Sequence, residues 1–129
     1  MTIFFKTTGM IALAALTMIG LSSCKKEEMV SYSQDVKPIL DKYCTECHLQ
    51  GGEGYIATGF SVASYADLMK GTRNGPMIIA GDSLGSNMLV LMEGRADPSI
   101  KMPHGKSVSA SKKELDTIRL WIDQGAKNN

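Results

Sequence analysis

Cys44, Cys47 and His48 stand within five positions of one another, in a chain with only 3 Cys and 2 His. In Cys44-Thr45-Glu46-Cys47-His48 the thiols are three positions apart and an imidazole follows at once. This is the C-x-x-C-H attachment pattern of c-type haem. At a helix end, two thiols so spaced can reach the vinyl groups of neighbouring haem rings, and the imidazole can then ligate the iron. Three other chemistries use the same residues. A thioredoxin-like dithiol belongs in a βαβ setting, of which the sequence carries no sign. A Cys44–Cys47 disulfide suits an exported protein but leaves His48 without a role. A zinc site would take Cys44, Cys47, His48 and His104, and two adjacent ligands make a poor start for a tetrahedron. The haem reading uses all three residues at once; zinc and the disulfide stay open.

A six-coordinate iron needs a second donor, and an open position would instead allow ligand binding or catalysis. Met69, Met77, Met88, Met92, Met102 and His104 are the candidates beyond the motif. Met88 and Met92 are four apart in a helical pattern and read as core. Met77 adjoins Ile78 and Ile79 and reads the same way. Met102 lies in a polar, irregular stretch where packing explains a Met poorly. Pro103 stiffens the backbone after it and removes a competing donor. Met102 is therefore the expected distal ligand, and His104 is expected to be an exposed loop residue.

These side chains need elements to hold them. Residues 32–43 predict a helix, with Val36, Ile39, Leu40 and Tyr43 on one face, Ser33 as its cap and Pro38 near its start. It runs directly into Cys44. Residues 49–60 contain Gly51, Gly52, Gly54 and Gly59 and read as a loop. Ser64 caps a short helix that Gly71 ends. Residues 72–86 read as loop. Ser86 caps a helix over Asn87–Glu93, ended by Gly94, and residues 95–109 are irregular. Ser111-Lys112-Lys113-Glu114 is a capping box, opening a last helix with Leu115, Ile118, Trp121 and Ile122 on its apolar face and Gly125 at its stop. The expectation is a small all-α domain of about three to five helices, with long loops wrapped around one haem that supplies part of the core.

The N-terminal segment reads as targeting. Lys6 precedes residues 9–21, apolar apart from Thr17 and shorter than the roughly 20 residues a membrane span needs. Leu21-Ser22-Ser23-Cys24 resembles the lipobox of bacterial lipoproteins, in which the Cys becomes a lipid-bearing N-terminus. Each buried CH2 of an acyl chain contributes roughly 0.8 kcal/mol, and two chains anchor stably. An ordinary signal with an incidental Cys24 is the alternative. The predicted division is a signal peptide over 1–23, a charged tether over 24–31 and a domain over 32–127. Lys+Arg is 14 and Asp+Glu 13, a net charge of +1. With no basic stripe or stacking aromatics, nothing points to nucleic acid.

Taken in order, further motifs resemble the planctomycete-type cytochrome c domain, a relative of the monohaem class I cytochromes c. They are Asp35-Val36-Lys37-Pro38-Ile39-Leu40, the haem motif, residues 64–71, Gly81-Asp82 with Ser86, Met102-Pro103, and Trp121 to Ala126. His104 stands where that family often has a second Pro. The resemblance implies thioether bonds at Cys44 and Cys47, His48 as proximal ligand and Met102 as distal ligand. The resemblance does not by itself choose a function; His/Met ligation favours an electron carrier that meets redox partner proteins, with a haem subunit of a larger redox enzyme or a ligand sensor as alternatives. Covalent haem attachment takes place outside the cytoplasm, which agrees with the leader and with a lipid anchor on the periplasmic side or at the surface of a bacterial membrane.

Overall fold

The hydroxyl of Ser31 accepts from the amide of Gln34 and caps a π-helical turn, Tyr32–Val36, which runs on into α1, Lys37–Tyr43. The structure is a computed structural model describing residues 28–105 and 107–129; the leader, Cys24 and positions 25–27 lie outside them. The expected cap, Ser33, has another task. Its amide and hydroxyl both donate to the carbonyl of Asn129, at 3.0 and 2.9 Å. Pro38 falls in the first turn of α1, where its missing N–H leaves no bond unmade. Val36, Ile39, Leu40 and Tyr43 are buried, as their spacing requires.

The chain barely leaves the helix before the next one. The amide of Cys44 donates to Leu40, and that of His48 to the carbonyl of Cys44, each at 2.8 Å. α2, Thr45–His48, is thus a single turn. α3, Glu53–Thr58, then forms where the glycines predict a loop, and Gly59 ends it at φ 77°. α4, Tyr65–Lys70, starts at Ser64, whose hydroxyl accepts from the Asp67 amide. α5, Asn87–Glu93, ends at Gly94. A 3-10 turn, Pro98–Ile100, interrupts the long segment before α6, Lys112–Asp123. Both halves of the expected capping box are formed at Ser111 and Glu114.

The domain is all-α, with six α-helices and no strand among the described residues. Six exceeds the expected number because the motif turn and the glycine-rich segment are both helical. α6 packs against α5 and the π turn. Leu40, Leu68, Leu89, Ile118 and Ile122 are fully buried at the centre. Tyr32, Tyr65 and Trp121 form an aromatic cluster, with Tyr32 and Tyr65 edge to face at 5.2 Å. The Trp121 indole donates to Lys127 and the Tyr65 hydroxyl to Ala126, which brings the C-terminal residues onto the core. Ile78 is buried as expected, but its neighbour Ile79 is 46% exposed. Ser86 stands at the start of α5 without capping it: its buried hydroxyl accepts from the Ile79 amide and donates to the Asp82 carbonyl.

The two ends of the described chain are clasped together. The Val30 amide donates to Gln124 Oε1, the Tyr32 amide to Asn129 Oδ1, and Asn129 Nδ2 to the Val30 carbonyl. Among the described residues no helix is long and apolar enough to cross a membrane.

Candidate functional site

Because α2 is one helical turn, Cys44, Cys47 and His48 occupy positions i, i+3 and i+4, and these share a helix face. All three line one cleft of about 340 Å³. α5 contributes Met88, Leu91 and Met92 to its wall, and the segment after the 3-10 turn contributes Met102, Pro103 and His104. Met88 and Met92 belong to the core, as expected, and also face this cleft. Met77 does the same from a half-buried position, whereas Met69 packs on the core without lining the cleft. Met102 is half-buried, and its amide donates to the Leu91 carbonyl at 3.1 Å, which ties its segment to α5. His104 is exposed, as expected, at the cleft margin.

The His48 ring is held from two sides. Nδ1 lies 3.2 Å from the carbonyl oxygen of Phe60. A carbonyl can only accept, so Nδ1 carries the proton and Nε2 keeps its lone pair. Burial pushes the imidazole below its ordinary value, partly opposed by the Phe60 bond, and favours the neutral ring. On another side lies Gly54 of α3. A Cβ there would fall 2.6 Å from Cε1 and 2.9 Å from Nε2, so only glycine lets α3 approach the ring. Gly52 shows the same constraint two residues earlier, where a Cβ would meet the Cys47 carbonyl at 2.5 Å.

Compared with known proteins, the chain matches no family model, no curated protein and no solved structure. The site must be judged on its own donors. Both motif cysteines are half-buried thiols. Among the described residues no group of three or more His, Cys, Asp or Glu side chains could together hold a metal ion, so the expected zinc alternative has no assembled ligand set. What the cleft offers is two thiols, one neutral imidazole with an available nitrogen, thioethers, and largely apolar walls. That donor set fits a flat, mostly apolar group with iron at its centre.

Phe60, Gly54 and Thr58 escape the motif reading. Phe60 acts through its carbonyl, which its side-chain type cannot signal, and through its ring, which meets the imidazole edge to face at 5.2 Å. The cluster of glycines around residue 52 was the available sign of a close approach.

Proposed function

We propose that this cleft holds one covalent haem c, attached at Cys44 and Cys47 with His48 and Met102 as axial ligands, and that the protein is an electron carrier rather than an enzyme. The observation that carries the reading is the single turn Thr45–His48, which sets both thiols and the imidazole on one face of an apolar cleft that also has Met102 in its wall. When bound, haem supplies reversible one-electron chemistry at iron.

The chain's own residues do the rest. Phe60 orients His48 through Nδ1 and raises the basicity of Nε2. A thioether from Met102 would raise the reduction potential and would leave the iron no open position for peroxide or gases. Met88, Leu91 and Met92 keep water from the cleft. The helices and the loop carrying Met102 would then enclose the group, as in a small cytochrome c-like domain.

Cys24, outside the described residues, completes the proposal as a lipid anchor holding the carrier outside the cytoplasm at a bacterial membrane. Confinement raises its effective concentration there, and meetings with redox partner proteins are brief and use small interfaces.

The test is expression with haem-attachment machinery, then denaturation in alkaline pyridine and reduction. A c-type haemochrome that stays with the chain, and is lost in Cys44→Ser/Cys47→Ser, is expected. A chain that keeps no haem overturns the proposal and turns attention to zinc and to a Cys44–Cys47 disulfide.

A further inference from the structure

Thr58 stands at the end of α3, and its hydroxyl bonds in two directions. It donates to the Gly54 carbonyl at 2.6 Å and accepts from the Phe60 amide at 3.1 Å. The first is the common back-bond of a helical Thr. The second links α3 to the residue beyond it. Gly54 and Phe60 both meet the His48 ring from outside its own turn. One hydroxyl therefore bridges the ring's seat and the residue that accepts its proton.

Arg73 steadies the same turn. Its guanidinium donates to the carbonyls of Ile56 and Ala57 at 2.7 and 3.0 Å, and its amide to that of Thr58 at 3.0 Å. A six-residue helix is too short to persist unaided, and these bonds satisfy its last carbonyls.

We propose that Thr58 is a positioning residue for His48, setting the Phe60 carbonyl against Nδ1 and through it the donor strength of Nε2. This rests on the haem reading above. A carbonyl held firmly on the Nδ1 proton makes the metal-binding nitrogen more basic and favours oxidised iron. Loosening it raises the reduction potential.

Thr58→Val keeps the shape and loses both bonds; Thr58→Ser keeps the hydroxyl. Holoprotein of each is compared with the unmutated holoprotein by pyridine haemochrome, reduction potential and the NMR signals of the iron-bound imidazole ring. The expected result is intact haem in all three. Thr58→Val shows an upward shift in potential and displaced imidazole signals, and Thr58→Ser restores both. Thr58→Ala repeats the measurement without the added methyl, should Val not fit. The proposal is overturned by a Thr58→Val protein with both readouts unchanged, or by Thr58→Ser shifting as far as Thr58→Val. It is also overturned by a change in potential with unmoved imidazole signals, because Thr58 lines the cleft and could act there through polarity alone. If the unmutated chain carries no haemochrome, the haem reading itself has failed, an outcome distinct from the others because they require haem to be present.

Discussion

His48 Nδ1 meets the carbonyl oxygen of Phe60 at 3.2 Å, across a separation of 12 residues. The imidazole of the motif is thus oriented by the segment after α3 and not by the motif's own helix. The imidazole therefore has a contact outside the turn it shares with the cysteines, and that contact can be perturbed without changing the motif.

Replacing Met102 by Ala leaves both thiols and His48 in place. Covalent haem is expected to remain, while the weak long-wavelength sulfur-to-iron band disappears. The reduction potential is expected to fall by an appreciable part of the roughly 0.8 V that axial ligands span. Absorption spectroscopy and potentiometric titration check this, and an unchanged spectrum removes Met102 from the iron.

Gly54→Ala sets two effects against each other. Alanine favours a helix over glycine by about 1 kcal/mol. Its Cβ would stand 2.6 Å from His48 Cε1, which overpacks the ring. Overpacking costs about 1–3 kcal/mol and here also pushes the imidazole from its seat. Net destabilisation in a denaturant titration is expected, together with a disturbed haem spectrum. A stabilised variant with a normal spectrum would mean that α3 yields easily.

Glu114 is held down to about 2 from its ordinary 4.5, first by the Ser111 amide, then by the Ser111 hydroxyl and by Lys42. A depressed carboxylate stabilises the fold fully above its unfolded value and loses that contribution as the pH falls through the folded one. Stability should therefore decline between about pH 4.5 and 2, and Glu114→Gln should flatten this part of the profile. Denaturant midpoints across that range provide the check; parallel profiles for both proteins would assign the acid sensitivity elsewhere. Ser111→Ala should cost about 1 kcal/mol near neutral pH, by removing the cap of α6, and less in acid, where the protonated Glu114 no longer gains from the Ser111 hydroxyl.

Ser86→Asp separates the capping role that the sequence suggests from the bonds that the hydroxyl makes. Aspartate caps a helix as well as serine does. The Ser86 hydroxyl, however, is buried between Ile79 and Asp82. A carboxylate there faces the Asp82 carbonyl and should cost more than about 3 kcal/mol. Thermal unfolding close to that of the unmutated protein would mean that these two bonds contribute little.

Where the signals are local, the sequence is a good guide. The Ser64 cap, the Gly94 stop and the Ser111 box depend on neighbours within four positions, and each forms the expected boundary. Met88 and Met92 keep the common face that their spacing predicts. The misreadings have distant causes. Residues 49–60 look like a loop because four glycines weaken helix propensity, yet Gly52 and Gly54 are small to clear Cys47 and His48. Ser33 looks like a cap but is claimed by Asn129, 96 residues away. The site itself is half legible. Cys44, Cys47, His48 and Met102 can be named from spacing and setting, while the partner of Nδ1 is a main-chain oxygen that every residue type possesses.

The clasp between the chain ends has a mechanical side. A pull arriving from upstream of Glu28 meets bonds to Gln124 at Glu28 and Val30, then bonds to Asn129 at Ser31 and Tyr32, before any of it reaches α1. Those bonds pass the load to α6 and the aromatic cluster, as a cable's strain relief passes tension to the housing. The turn carrying Cys44, Cys47 and His48 lies downstream of those bonds, so a pull from the N-terminal side loads the clasp before it loads the site.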